Sequence, residues 1–146
     1  MTTVIYHIYV LGDEWRPDNF KLYPGDKWKR FERDDVYRFF QSDVKRKRLE
    51  ELIDNGVIGY LIYSDDGGWR CFGWCCPPDN PVEPKHLPVE YHDRGYWIYN
   101  CYTNPDYRDM GYYHSLLTLM CNETYGRGEI YIDTLEDNSV SRHVIA

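Results

Sequence analysis

The stretch YWIYNCYTNPDYRDMGYYHSLL, residues 96–117, decides the fold of this chain. Its first eight residues are rich in aromatic side chains, which is typical of a strand. A loop with one proline and one glycine follows, and apolar residues then recur at helical spacing. The stretch therefore predicts three elements, which are a strand over 96–103, a loop over 104–110 and a helix over 111–125.

The loop between this strand and helix has the features of an anion site. A helix N-terminus presents free backbone N–H groups and a partial positive charge, and Gly111 leaves room for a close approach. Arg108 could add a charge-assisted hydrogen bond to a phosphate, and Pro105 fixes the turn out of the strand. Most strand–loop–helix units bind nothing, however, so these residues alone favour a plain connection.

The rest of the chain alternates between strand and helix patterns. Asp34 and Asp35 would cap a helix that Gly56 stops, and Ser42 and Asp43 mark a point where it could divide into two. The expected elements are a strand at 4–11, a connection with room for a short helix at 12–33, one or two helices at 34–56, a hairpin at 57–76, a proline-rich loop at 77–88, a strand at 129–134 and the start of a last helix at 136–146. This order predicts a single domain over residues 1–146, with a mixed α/β fold around one sheet.

Composition excludes some classes of partner. The formal net charge of −7 argues against nucleic acid or an anionic membrane as the main partner. The basic run Lys45–Arg48 lies in a helical pattern and is interpreted as a solvated face. No signal peptide or membrane-spanning run is apparent. Five cysteines, two of them adjacent, make a poor disulfide framework, so a reducing cytoplasm is expected.

The cysteines also raise the question of zinc. Cys71, Cys75 and Cys76, with His86 or His92, supply enough ligands. Their C-x3-C-C spacing matches no usual tetrahedral pairing, so buried strand cysteines are the favoured interpretation and no metal is expected.

A family resemblance rests on two motifs. The run T-N-P-D-Y-R-D-M-G-Y-Y-H-S-L-L resembles the acyl-CoA-binding motif of the GNAT superfamily of N-acetyltransferases. After the strand EIYIDT, the run D-N-S-V-S-R-H-V-I is similar to the start of that superfamily's next helix. The matching residues are Pro105, Tyr107, Arg108, Gly111, Leu116 and Leu117 in the first motif, and Asn138, Ser141, Val144 and Ile145 in the second.

The resemblance implies a central mixed, mostly antiparallel sheet flanked by helices, with a V-shaped splay between strands 96–103 and 129–134. The family usually continues beyond the last helix into a final pair of strands, whereas this sequence ends at Ala146. Three explanations stay open for that end: a cropped sequence, a minimal fold, or a second chain that completes the sheet as a homodimer.

The resemblance also implies a co-substrate site for acetyl-CoA or another acyl-CoA. The pantetheine arm would lie beside Tyr102 and Thr103, and Asn138 and Ser141 would help to hold it. A backbone N–H of strand 96–103 would polarise the thioester carbonyl. The pyrophosphate would rest on the backbone N–H groups of Arg108, Asp109, Met110, Gly111, Tyr112 and Tyr113. Tyr113 stands at the family's second glycine position, and Asp109 and Met110 stand where glycine or a cation is frequent.

Residues for acid–base chemistry are less apparent. Many relatives place a carboxylate on the strand before the loop, and strand 96–103 has none. The candidates are Glu90, Tyr99 and Asp133, with Asp93, His86, His92, Tyr102 and bound water as further alternatives; Ile145 stands where relatives frequently have a general-acid tyrosine.

The hypothesis is direct transfer of an acetyl group from acetyl-CoA to a primary amine. The acceptor would be a small molecule, an amino sugar or a protein amino group, and the acidic chain favours a cationic or amine acceptor. The alternatives are a non-catalytic GNAT-like module that binds acyl-CoA or a protein, and a structural domain whose loop binds nothing.

Overall fold

In a computed structural model of the protein, residues 6–12, 15–17, 19–65, 68–85 and 95–135 are described. Within these ranges, six strands form one sheet in the order β1-β6-β5-β4-β3-β2. The elements are β1 Tyr6–Val10, β2 Asp26–Arg30, α1 Arg33–Phe39, α2 Asp43–Asp54, β3 Ile58–Ser64, β4 Gly68–Cys76, β5 Tyr96–Thr103, a single 3-10 turn Pro105–Tyr107, α3 Tyr112–Thr124 and β6 Ile130–Leu135.

The sheet is mixed and mostly antiparallel, as predicted. Strands β5 and β6 run parallel, and the other neighbouring pairs in the described sheet run antiparallel. A parallel pair needs a crossover, and α3 supplies it between β5 and β6. The predicted hairpin is confirmed as β3 and β4. The long helical pattern does divide, because Ser42 caps α2 and its hydroxyl accepts a hydrogen bond from the Lys45 N–H at 3.3 Å.

One part of the sequence interpretation was wrong. Residues 12–33, expected to be a connection with room for a short helix, contain strand β2 at one edge of the sheet. The strand reads Asp-Lys-Trp-Lys-Arg and is largely exposed, so it lacks the apolar alternation of a strand with one buried face. Lysines on an edge strand discourage pairing with other chains, which accounts for a strand of this composition.

The core lies on both faces of the sheet. On one face, α1 and α2 cover an aromatic cluster that includes Phe31, Phe40 and Trp74. On the other face, α3 packs Leu116 and Met120 against buried residues of the central strands. The sheet is thereby held rigidly on both sides at β4 and β5, which are the strands that carry the candidate site. Within the described residues, no helix has the length and apolar character needed to cross a membrane.

Candidate functional site

Strand β5 changes partners halfway along its length. Its pairing with β6 runs from Tyr96↔Ile130 to Ile98↔Ile132, and no later β5 residue pairs with a described residue of β6. From that point β5 continues beside β4, whereas β6 continues beside β1. The two parallel strands therefore separate beyond Ile98, which is the predicted V-shaped splay, and no strand of the described residues lies in the slot between them.

A β-bulge lies in β5 where the strands separate. Tyr99 pairs with Trp74 and Tyr102 pairs with Phe72, so Asn100 and Cys101 together oppose the single residue Gly73. Asn100 has a positive φ of 51°. A bulge of this kind bends the strand and turns a peptide group out of the ladder. The bulge follows Ile98 by two residues, so it lies where the slot between β5 and β6 opens.

The loop after β5 is shaped by its own hydrogen bonds. The Asn104 carboxamide accepts a hydrogen bond from the Asp106 N–H at 3.1 Å and donates one to the Trp69 carbonyl at 2.8 Å. Asp109 and Gly111 then adopt the left-handed backbone region, with φ of 62° and 84°. Aspartate tolerates this region better than most residues, which gives a physical reason for Asp109 at a position where relatives frequently have glycine.

Helix α3 begins directly after Gly111 and presents its N-terminus to the end of β5. The Ser115 N–H closes the first turn on the Gly111 carbonyl at 3.1 Å, and the backbone N–H groups that precede it lie at the start of the helix dipole. No acidic residue occupies this first turn. The dipole of α3 and the backbone N–H groups at its start together favour an anion at this position.

Two segments distant in sequence hold the loop in place. The Tyr23 hydroxyl donates to the Met110 carbonyl at 2.7 Å. The Tyr112 hydroxyl donates to an Asp26 carboxylate oxygen at 2.5 Å, and Arg70 lies 3.6 Å from the other oxygen of Asp26. The Arg70 guanidinium also stacks 3.9 Å from the centre of the Tyr107 ring. Burial and the hydrogen bond to Asp26 raise the pKa of Tyr112 to about 12.

Sequence reasoning missed Tyr23, Asp26 and Arg70. Asp26 begins the edge strand that was taken for a connection, and Tyr23 stands in the turn before it. The signal available in the sequence was the Pro-Gly pair at 24–25, which marks a turn into a new element. Nothing local in the sequence indicates that this turn reaches the loop at 104–111.

A cleft lies on the opposite side of the bulge from α3. Its volume is about 540 Å³, and it opens between one side of α2 and the strands β4 and β5. Its lining residues are Ser42, Val44, Lys45, Arg48, Leu49, Leu52, Phe72, Trp74, Asn100, Cys101 and Tyr102. The bulge residues Asn100 and Cys101 thus form part of the wall, so a molecule in the cleft would lie next to the bulged backbone of β5.

The charges of this cleft are cationic, although the chain as a whole is acidic. The charged residues of the described lining are Lys45 and Arg48, and this lining contains no carboxylate. Beside the cleft, the ring of Tyr102 lies 4.8 Å from the Lys45 ammonium and 5.9 Å from the Arg108 guanidinium. Tyr102 therefore lies at the boundary between the cleft and the loop that begins α3.

Behind the cleft, Glu83 is fully buried in a hydrogen-bond network. Its carboxylate accepts from Arg48 at 2.8 and 3.3 Å, from the Tyr99 hydroxyl at 3.1 Å and from Asn55 at 3.4 Å. Burial disfavours the charged carboxylate, but Arg48 and the other donors outweigh it, and the pKa of Glu83 is lowered. Burial and the charge of Glu83 raise the pKa of Tyr99. The Tyr99 phenol is thus held as a donor to Glu83.

The structure gathers most of the predicted co-substrate residues at one end of β5. Tyr102, Arg108, Asp109, Met110 and Gly111 are exposed, and Thr103 and Tyr113 are half-buried. Tyr112 is buried, so what it offers the loop surface is its backbone N–H. Asp133 lies on β6 opposite Ile8, and its side chain is outside the described structure. Several predicted residues lie outside the described ranges, together with the expected last helix: His86, Glu90, His92, Asp93, Asn138, Ser141 and Ile145.

The three cysteines of β4 have a structural role. Cys71, Cys75 and Cys76 are buried in β4, and burial raises the pKa of each thiol to about 12. Thiols of this kind are poor nucleophiles at neutral pH. Among the described residues, no group of three potential metal ligands converges.

Comparisons with known proteins agree with this architecture. A model of the acetyltransferase (GNAT) family matches residues 5–146. No protein of curated function matches the sequence. The chain is similar in structure to a Drosophila protein solved by X-ray crystallography, with a TM-score of 0.63 and 14% sequence identity. The similarity covers 99% of this chain and 47% of that protein, so the chain spans about half the length of this relative, and at such low identity the likeness concerns the fold.

Proposed function

The chain belongs to the acetyltransferase (GNAT) family, and on that premise we propose that it transfers an acetyl group from acetyl-CoA to a primary amine. The observation that carries this proposal is the separation of β5 from β6 beyond Ile98, next to the β-bulge at Asn100. The separation opens a slot beside β5 that has the shape an extended ligand needs. The bulge presents peptide groups at the same position, where a thioester carbonyl would need a hydrogen-bond donor.

The co-substrate fits the described residues at both ends. The slot between β5 and β6 suits a pantetheine arm, whose amides would add to the sheet beside β5 as a strand does. The N-terminus of α3, with Arg108 exposed nearby, suits its pyrophosphate. Asp109 is exposed, so its carboxylate can be hydrated there. We further propose that Asn138 and Ser141, which lie outside the described residues, hold the pantetheine side.

The cleft between α2 and β5 is the proposed acceptor site. An amine there would attack the thioester carbon directly. The new C–N bond forms, the C–S bond breaks, and CoA leaves as a thiolate that takes up a proton. The amine would pass its proton to water or to a base outside the described lining of the cleft, because that lining contains no carboxylate and the Tyr99 hydroxyl is bound to Glu83. Glu90 and Asp133 stay candidates for that role. Catalysis would come mainly from positioning the two substrates.

The proposal is tested by following free thiol released from acetyl-CoA in the presence of amines. We expect release that depends on both the protein and the amine, with the acetylated amine confirmed by mass spectrometry. Cys71, Cys75 and Cys76 are buried and should react slowly with the thiol reagent, whereas Cys101 and Cys121 are half-buried, so the background of the protein without acetyl-CoA is subtracted.

A second candidate is a non-catalytic module that binds acyl-CoA. Tyr113, at the family's second glycine position, and the absence of a carboxylate from the described cleft favour it. In that case acetyl-CoA would raise the thermal unfolding midpoint, but no amine would release thiol. Neither stabilisation nor release at millimolar acetyl-CoA would contradict both candidates.

A further inference from the structure

We propose that the acceptor is an amine that also carries an anionic group, a carboxylate or a phosphate, and that Lys45 binds this group in the cleft. The inference rests on the proposed acyl transfer and names the class of acceptor. It runs against the expectation from the acidic net charge, which favours a cationic acceptor. The local charges of the cleft decide the question, because a ligand in a partly enclosed site interacts most strongly with its nearest charges.

The two cations of the cleft are in different electrostatic situations. Arg48 is neutralised, because its guanidinium bonds the buried carboxylate of Glu83 at 2.8 Å and lies 3.4 Å from Glu51. Lys45 has no carboxylate partner among the described residues, and its ammonium lies against aromatic rings. One positive charge of the cleft is therefore available to a ligand.

Three aromatic rings lie close to the Lys45 ammonium. Its ammonium lies 4.8 Å from the centre of the Tyr102 ring, 5.5 Å from Phe40 and 6.0 Å from Trp69. The rings hold the ammonium by cation–π attraction and remove water from one side of it. They cannot neutralise it, since their attraction is small compared with a full negative charge. An anion that entered the cleft would meet a positioned, partly desolvated cation.

The position of Lys45 suits an acceptor better than a free anion. Lys45 lines the same cleft as Asn100 and Cys101, the bulge residues next to the proposed thioester position. A molecule held by its anionic end at Lys45 would extend along the apolar walls formed by Leu49, Phe72 and Trp74. Its amine would then point toward the bulge. A purely cationic amine would be repelled at the entrance.

The test uses pairs of acceptors that differ in the anionic group. Amino acids are compared with their amides, and glucosamine 6-phosphate with glucosamine, by thiol release at saturating acetyl-CoA. We expect the anionic member to have a kcat/KM about tenfold to hundredfold higher, the range of a charge-assisted hydrogen bond. The thermal midpoint of the CoA-saturated protein is measured with the same pairs, so that a slow acceptor still registers as a ligand.

Two variants isolate the lysine. Lys45→Met keeps the length and apolar stem of the side chain and removes its charge. Lys47→Met removes the same charge from the exposed surface of the same helix. In Lys45→Met, the anionic-to-neutral ratio should fall at least tenfold relative to the original protein, while Lys47→Met keeps it. This ratio of ratios cancels the different basicities of the paired amines.

The outcomes separate this inference from the function on which it rests. Acetyl-CoA should stabilise the original protein and Lys45→Met equally. If no anionic member exceeds its neutral partner in rate or in thermal shift, the acceptor class is wrong although the transferase stands. If Lys45→Met weakens acetyl-CoA binding itself, Lys45 binds a phosphate of CoA and the inference is overturned. If acetyl-CoA has no effect on the original protein, the proposed function itself is contradicted, and the question of the acceptor does not arise.

Discussion

Tyr112 joins the loop that begins α3 to the edge strand β2. It is 4% exposed, and its hydroxyl donates to Asp26, whose carboxylate also faces Arg70. A hydrogen bond to a charged group contributes about 1.5–3 kcal/mol to stability. Because Tyr112 is the first residue of α3, this bond fixes the point where the helix N-terminus starts. The side chain thus acts on the site by positioning backbone N–H groups.

The Tyr112 bond should be visible in the pH dependence of stability. The pKa of this phenol is raised to about 12, above the ordinary 10. The folded state then holds the proton more tightly than the unfolded chain. The stabilisation is complete below pH 10 and is lost as the pH rises from about 10 to about 12. Tyr112→Phe should lose about 2 kcal/mol at neutral pH and should show a smaller further loss above pH 10.

Urea unfolding between pH 7 and pH 11 measures this effect. Tyr125→Phe is the matched control, since Tyr125 is an exposed tyrosine at the other end of the same helix. It should keep both the neutral stability and the alkaline slope of the original protein. Equal alkaline slopes for Tyr112→Phe and the original protein would show that the phenol does not titrate as described.

At the scale of elements, the bulge in β5 depends on the residue opposite it. Gly73 allows β4 to approach both β5 and α3. A Cβ atom at this position would lie 2.8 Å from the Cys101 sulfur, 3.0 Å from a Leu116 methyl group and 3.1 Å from the Met120 sulfur. These distances are below ordinary contact, so a side chain here would displace the bulge or the helix.

Gly73→Ala should therefore lower the stability by about 1–3 kcal/mol and reduce the stabilisation by acetyl-CoA. Gly59→Ala is a suitable control, because a Cβ atom there would meet Phe31 and Trp74 on the opposite face of the sheet at 2.6 and 2.7 Å. It should cost similar stability and keep the full acetyl-CoA shift. Denaturant unfolding and thermal shifts measure the two effects. An equal loss of the shift in both variants would mean that the bulge has no special part in binding.

The elements differed in how far the sequence could predict them. The predicted strand at 96–103 has the same bounds as β5. The division of the long helix at Ser42 was also predicted, because residue pattern and a capping residue are local signals. Strand β2 was not, because a charged edge strand has no buried face to mark it. Its pairing with β3 depends on backbone hydrogen bonds that any side chains permit.

At the scale of the molecule, the resemblance carried by the two motifs predicted the mixed sheet and its splay. The loop residues assigned to the co-substrate come from the first motif, and their role stays a prediction. The cationic cleft was not predicted, because its charges come from α2 and its walls from β4 and β5. In the sequence, Lys45 belongs to a basic run, and the sequence alone does not show which of its charges are neutralised. The structure shows that Arg48 pairs with the buried Glu83. Such compensation is a property of tertiary structure.

The most direct test of the proposed acyl-CoA site is thermal unfolding with increasing acetyl-CoA, in the original protein and in Gly111→Val. Gly111 has φ of 84° and open space around its Cα, so valine would be strained there and would cover the N-terminus of α3. Gly126→Val is the control, with φ of 81°, equally open space and a position past the other end of the helix.

At a ligand concentration 100 times the dissociation constant, binding adds about 2.7 kcal/mol, or about 5–10 °C for a domain of this size. The original protein and Gly126→Val should both show a midpoint that rises with acetyl-CoA concentration, and Gly111→Val should show none. An unchanged midpoint in the original protein, or a full shift in Gly111→Val, would contradict the assignment of the acyl-CoA site to the end of β5 and the start of α3.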